Sequence, residues 1–353
     1  MKTIVLTGGG TAGHVTTNLS LIPLLKQEFD KIIYIGSDNS IEKELLKNYP
    51  EVDFYPITTT KLIRSLSPKN LLIPFKLHKG KKEAYNLLKN LNPSIIFSKG
   101  GFVSLPVVLS AHKLNIPIIT HESDYSLGLA NKLIKNKSTL ICTTFEDTAK
   151  TLKNGIYTGS PFQKPNITTQ EKNRLKQSLN LTSQKPICLV IGGSQGANSL
   201  NTLIRENLDQ ILSTHQIVHI TGKNKLDPTI KKQDYHQVEY LTNLPTLLSI
   251  CDISITRGGS NSIHEQLAYQ IPMLIIPLQK NTRGDQVQNA KYFQDKGYAI
   301  ALLDKDISSS QFQQSFEQLK KLSPIIKNST KHAIPQNSLQ KIYSLIIKHQ
   351  KTN

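Results

Sequence analysis

The chain has 353 residues, 38% of them hydrophobic, and its 43 Lys and Arg against 25 Asp and Glu leave a formal net charge of +18. Such a length exceeds one ordinary core and fits two domains, and apolar periodicity throughout excludes a disordered chain; no apolar run approaches the ~18 to 20 residues that span a bilayer. The charge favours anionic partners, whether phosphate groups, membrane surfaces or nucleic acid, although a Lys-, Asn- and Ile-rich chain also carries such charge as a solvated surface.

Cys142, Cys188 and Cys251 lie singly in strand-like runs with no CxxC or metal spacing, which predicts reduced core residues. Residues 3–7 read directly as a first strand, so no signal peptide is expected and the protein should be cytosolic. That strand runs into GGGTAGH (8–14), and a helical segment follows from 15 to about 29. Gly8, Gly10 and Gly13 match GxGxxG between strand and helix, a loop that lets backbone approach a phosphate. Asp38, after the strand IIYIG, roughly meets the acidic requirement of a dinucleotide site, so nicotinamide binding stays open at this point. His14 follows the last glycine at a helix start, placed either as a general base or as a hydrogen-bond donor to a phosphate.

From Phe54 to Lys82 there is no acidic residue, while Lys61, Arg64, Lys69, Lys76, Lys79, Lys81 and Lys82 are basic and Leu71, Leu72 and Phe75 lie among them. Cations flanking exposed apolar side chains suit an anionic membrane surface; the alternative is an ordinary helix with its apolar side in the core. A strand at 94–98 ends in KGGFVSLP (99–106), a second Gly-rich turn opening a second helix. Another at 117–120 ends in HESDYSLGLANK (121–132), a polar cluster at the strand end where open α/β sheets bind ligands, although His121 could be satisfied by local backbone.

TGSPFQKPN (158–166) reads as a linker, after which the pattern repeats: a strand at 186–191, the turn GGSQGA (192–197), a helix at 200–212 and strands at 217–220, 238–240 and 252–256. The last strand breaks at Gly258 and Gly259 into a helix from 261 to 269, a strand-turn-helix seat for a diphosphate. Glu265 lies about one turn into that helix and could accept two ribose hydroxyls; equally, Ser262 and Glu265 are spaced as a capping box. A buried strand at 273–277 exits into Arg283, Gly284, Asp285 and Gln286. The expected fold is α/β, two Rossmann-like doubly wound parallel-sheet domains facing across a cleft. The expected bounds are 1–157 and 167–335 around a linker at 158–166, with a helical tail at 336–353 that could return to the first domain.

Seven motifs together carry a family resemblance: GGGTAGHV (8–15), SKGGFVSLP (98–106), HESDYSLGLANK (121–132), YTGSP (157–161), IGGSQGA (191–197), RGGSNSIHE (257–265) and RGDQVQNA (283–290). In that order the chain resembles the bacterial N-acetylglucosaminyltransferases that make lipid II from lipid I, which have the GT-B fold. The likeness implies that Thr11, Ala12 and Gly13 lie against the donor sugar with Asp124 near its hydroxyls. It implies further that Ser194 holds a UDP phosphate, the Leu241 backbone meets the uracil, Glu265 binds the ribose and Gln286 contacts the N-acetylglucosamine. Gly10 and His14 in the first loop, with Gly100, Gly101 and Ser104 in the second, would receive the acceptor diphosphate. There are departures: Gln163 replaces a common arginine, Asp124 an asparagine and Thr17 a common proline.

The partners implied are UDP-N-acetylglucosamine, lipid I and the anionic cytoplasmic face of the cell membrane, met peripherally through Leu71, Leu72, Phe75, Lys76, Lys79 and Lys82, with no nucleic acid. The expected chemistry is inverting transfer to a C4 hydroxyl with His14 as base, no cofactor and no bound metal, since no DxD pair stands where it could hold Mg²⁺. The rivals are a UDP-sugar epimerase of the same architecture, a nicotinamide oxidoreductase and a nucleic-acid-binding protein.

Overall fold

The computed structural model describes residues 1–38, 40–60, 71–193, 196–279, 284–335 and 337–351. The chain divides into two units, one of Met1–Gln163 with Pro335–Asn353, the other of Lys164–Ile334.

Unit 1 runs β1 (Thr3–Thr7), α1 (Ala12–Leu25), β2 (Lys31–Ser37), α2 (Ile41–Leu45), β3 (Val52–Ile57), α3 (Ile73–Leu91), β4 (Ile95–Ser98), α4 (Ser104–Lys113), β5 (Ile118–Glu122), α5 (Leu129–Ile134), β6 (Leu140–Thr143), α6 (Glu146–Lys150) and β7 (Gly155–Tyr157). Unit 2 runs α7 (Thr169–Ser178), β8 (Ile187–Ile191), α8 (Asn198–Glu206), α9 (Leu208–Leu212), β9 (Gln216–Ile220), β10 (Tyr235–Val238), α10 (Leu244–Leu248), β11 (Ile253–Thr256), α11 (Ser260–Ala268), β12 (Met273–Ile275), α12 (Asp285–Asp295), β13 (Ile300–Ala301) and α13 (Ser309–Ser329). The last helix, α14 (Ser338–His349), returns to unit 1.

Both sheets are parallel, in the orders β3-β2-β1-β4-β5-β6-β7 and β10-β9-β8-β11-β12-β13. Strands covered on both faces read as continuous apolar runs, and TIVLT of β1 and ICLVI of β8 are buried at every position. Side chains still alternate between faces. Ile4 and Leu6 pack with Val15, Leu19 and Ile22 of α1 and Leu339, Ile342 and Ile346 of α14. Val5 points the other way, to Ala84 and Leu88 of α3 and Val107 and Ala111 of α4. Unit 2 is layered likewise, with Leu200, Ile204, Phe312 and Phe316 on one face and Leu175, Leu247 and Leu248 on the other.

Chain order reverses between β1 and β4 in unit 1 and between β8 and β11 in unit 2. Open α/β sheets bind ligands beyond the carboxyl ends of the strands at such switch points. The register sets Thr7 beside Ser98 and Ile191 beside Thr256, so in each unit two Gly-rich turns leave the sheet side by side.

Several expectations are corrected. The helix expected at 200–212 is two, parted at Asn207, whose Nδ2 donates to Leu203 O at 2.8 Å and so competes with the helix ladder. Glu265 closes no capping box with Ser262: α11 begins at Ser260 after an N-cap at Gly259 that makes no side-chain cap bond. The strand expected at 238–240 is Tyr235–Val238. Among the cysteines, Cys142 and Cys188 are buried and Cys251 is half-buried. No described helix is long and apolar enough to cross a membrane.

Candidate functional site

In unit 1 the two turns at the switch point touch. A Cβ on Gly101 would stand 2.6 Å from Gly9 O and 3.5 Å from His14 Nδ1, and one on Gly10 would stand 2.5 Å from the Phe102 ring. Gly10, Gly100 and Gly101 have φ of +84°, +82° and +81°, so conformation and space both demand glycine. The first turn is held from behind, where Tyr34 Oη donates to Gly8 O at 2.5 Å and Asn18 Nδ2 to Thr7 O at 3.2 Å. Ala12 and Gly13 open α1, and the N-cap residue Thr11 sets its Oγ1 2.9 Å from His14 Nδ1, orienting the imidazole at the helix start. Ser104 is buried and its hydroxyl donates to Gly101 O at 2.9 Å, which spends that proton on the turn itself.

The third part of this seat follows β5. Glu122 is buried, its Oε1 accepting from the Asp124 N–H at 3.0 Å and its Oε2 from the Gly128 N–H at 2.7 Å and Asn131 Nδ2 at 2.9 Å. This carboxylate shapes the loop that carries Asp124. Below it, the Lys99 ammonium donates to His121 Nδ1 and to Ser123 Oγ.

In unit 2, Gly258 lies under Gln286, whose backbone O would be 2.4 Å from an added Cβ, and Asn289 Nδ2 donates to Gly258 O at 3.0 Å. Gln286 opens α12, and its Oε1 accepts the Leu278 N–H at 2.9 Å. Arg257 is buried, donating to Ile276 O at 2.9 Å and Ser199 Oγ at 2.6 Å, which staples this turn to the start of α8. Glu265 sits on α11, and loss of solvent around its carboxyl group raises its pKa to about 7. No described group donates a hydrogen bond to that carboxylate, so it retains its full capacity to accept. Leu241 follows the edge strand β10 and packs into the apolar cluster with Val238 and Leu244. Ser194 and Arg283 lie outside the described residues.

On α3, Gly80, Ala84 and Leu88 face the core, whereas Phe75 on the same helix and Leu71 and Leu72 just before it are 75%, 76% and 53% exposed. These three do not belong to an ordinary core-facing side. Lys76, Lys79 and Lys82 are exposed beside them; Lys61, Arg64 and Lys69 lie outside the described residues. An open pocket of about 380 Å³ touches Ile187, Gln216 and Asp252 at the opposite, amino ends of the unit 2 strands. It is remote from both glycine turns of that unit.

Sequence reasoning passed over Lys99, Glu122, Asn131 and Glu42. The last is buried, accepts the Ser37 N–H at 3.1 Å and sets its carboxylate 2.5 to 2.8 Å from where a Gly9 Cβ would be. Each acts through partners distant in the chain, so local spacing held no signal for them.

This construction, two doubly wound units each with paired glycine turns at its switch point, is that of a nucleotide-sugar glycosyltransferase. Residues 4–143 match the glycosyltransferase family 28 N-terminal domain and residues 187–346 its C-terminal domain. A UDP-N-acetylglucosamine--N-acetylmuramyl-(pentapeptide) pyrophosphoryl-undecaprenol N-acetylglucosamine transferase of Clostridium botulinum is 41% identical over 98% of this chain and 97% of its own. One so named from Staphylococcus carnosus is 43% identical over 90% and 89%. The chain therefore belongs to this family of glycosyltransferases. MurG of Acinetobacter baumannii is similar in fold, with a TM-score of 0.77 at 22% identity over 99% of this chain and 100% of that one. CalG4, the calicheamicin glycosyltransferase, follows at 0.72 and 12%, covering 99% and 98%.

Proposed function

We propose that this chain transfers N-acetylglucosamine from UDP-N-acetylglucosamine to the C4 hydroxyl of undecaprenyl-pyrophosphoryl-N-acetylmuramyl-pentapeptide, yielding the disaccharide-linked lipid of peptidoglycan synthesis. The observation that carries this reading is 41% identity along 98% of the chain to a relative bearing that name. The geometry supports it: unit 1 has two touching glycine turns beside an oriented histidine, and unit 2 has a glycine turn at a helix start with a carboxylate about one helix turn away.

In the proposed reaction the acceptor C4 oxygen attacks C1 of the donor sugar and UDP departs with inversion, giving a β-linkage. His14, oriented by Thr11, takes the hydroxyl proton. Charge building on the leaving diphosphate is stabilised by the amino ends of α8 and α11, fixed dipoles needing no reorganisation as the bond breaks. Thr11, Ala12, Gly13, Asp124 and Gln286 hold the donor sugar; Ser194, Leu241 and Glu265 hold the nucleotide. Gly10, Gly100, Gly101 and Ser104 form the acceptor seat. No resident metal takes part. The exposed Leu71, Leu72 and Phe75 enter the anionic cytoplasmic face of the membrane, and Lys76, Lys79 and Lys82 meet its headgroups.

The test is transfer of labelled sugar from UDP-N-acetylglucosamine to a diphosphate-linked muramyl-peptide acceptor, run with and without a chelator. A disaccharide product of equal yield in both arms is expected. A donor epimerised without transfer overturns the reading, and a strict divalent requirement overturns its metal-free form.

A further inference from the structure

We propose that Lys99 is a positioning residue of the acceptor seat, a buried cation at the foot of the second glycine turn whose charge draws the acceptor's diphosphate into register. The inference rests on the acceptor reading above. Lys99 follows β4 directly, its N–H donating to Thr7 O at 2.8 Å, and its Cβ would be 2.9 Å from a Cβ on Gly8. From there the side chain runs inward beneath the 121–124 segment, where Nζ donates to His121 Nδ1 at 2.9 Å and to Ser123 Oγ. The first bond selects the His121 tautomer with a proton on Nε2, which faces Gly159 O at 3.4 Å.

Lys99 is 1% exposed, yet none of the described carboxylates lies within ion-pair distance of it. Glu122 and Asp124 act on it from farther off, while burial brings its pKa down to about 8. A cation taken out of water without a paired anion is costly, and an apolar side chain of the same volume fills such a space without that cost. A diphosphate on the two turns adds to the counter-charge that Glu122 and Asp124 supply from a distance. At an effective dielectric of about 20, a unit charge about 12 Å from a dianion changes binding by roughly a hundredfold, and by more when nearer.

Two variants separate charge from contact. Lys99→Met keeps the volume and removes the charge, and Lys99→Gln keeps a donor for His121 and Ser123. In both, KM for the diphosphate-linked acceptor should rise at least tenfold, with KM for UDP-N-acetylglucosamine and affinity for UDP within about threefold of wild type. Full rescue by glutamine, or equal losses for donor and acceptor, overturns the proposal. A second measurement needs no variant: inorganic pyrophosphate added to the wild-type protein should raise the Lys99 pKa by a unit or more, read from its Nζ resonance. The charged or titratable groups around it, His121 and Glu122 on β5, Asp124 beyond it and Cys142 on β6, are to be followed in the same titration. An unmoved Lys99 refutes the charge role. Absence of any transfer by the wild-type chain refutes instead the acceptor reading beneath it.

Discussion

Glu265 offers the sharpest test of the donor seat. Its carboxyl group is displaced from 4.5 to about 7 by loss of solvent. At about 1.4 kcal/mol per pH unit, keeping it ionised above that value costs the unliganded fold roughly 3 kcal/mol. The folded pKa lies above the unfolded one, so this contribution to stability is fully present below pH 4.5 and is lost as pH rises through about 7. Glu265→Gln should therefore be more stable than wild type at pH 8, by up to that amount. Binding should move the other way. An ionised carboxylate accepting two ribose hydroxyls gains about 1.5 to 3 kcal/mol per bond, and a neutral amide gains less and can orient its oxygen toward them only by turning its own donor away. Calorimetric titration of UDP-N-acetylglucosamine is the assay, since its diphosphate diester, unlike free UDP, does not titrate in this range. Wild-type affinity should rise about tenfold from pH 6 to pH 8; Glu265→Gln should bind tenfold to a hundredfold more weakly, with a flat profile. A flat wild-type profile, or a glutamine variant with wild-type affinity, refutes the assignment.

Other outcomes follow from the same geometry. His14→Ala should lower kcat by about 10² or more at nearly unchanged donor KM, since placed general bases contribute 10² to 10⁴; near-wild-type turnover eliminates it as the base. Gly101→Ala must adopt φ of +81° with its methyl 2.6 Å from Gly9 O, so it should cost about 2 to 4 kcal/mol in stability or displace the turn and raise acceptor KM; a variant matching wild type in melting and in KM would refute the close approach. Reversing Lys76, Lys79 and Lys82 to Glu removes three favourable terms of about 1 kcal/mol each and adds repulsion, so sedimentation with anionic liposomes should fall more than a hundredfold; unchanged sedimentation removes the membrane role.

Much of the architecture was legible in the chain because it is set by short-range requirements. A β-branched apolar run forms a buried parallel strand. A glycine pair forms the tight turn that follows, and a 3.6-residue periodicity the helix after that. This is why GGGTAGH, KGGF, GGSQGA and RGGS could be placed at strand ends before any coordinates. Helix starts were less legible, because side chains compete for them. The spacing at Ser262 and Glu265 resembled a cap but lies inside α11, while true capping boxes occur at Thr168–Glu171 and Ser308–Gln311. Exposure was undecidable too. Leu71, Leu72 and Phe75 have the composition of a core stripe, and it is the packing of α3 through Gly80, Ala84 and Leu88 that leaves them outward.

By itself, then, the sequence determined two parallel sheets, their Gly-rich turns and the residue types beside each turn, all properties of neighbours along the chain. Tertiary structure alone decided that residues 91 apart, Thr7 and Ser98, sit side by side and bring two turns into one seat. It decided that Glu42 reaches behind Gly9, that Glu122 braces the Asp124 loop, and that Lys99 lies buried with none of the described carboxylates in ion-pair reach. The reason is physical: burial and pairing are set by what the sheet brings together across long stretches of chain, and no local spacing encodes the solvent that a side chain loses.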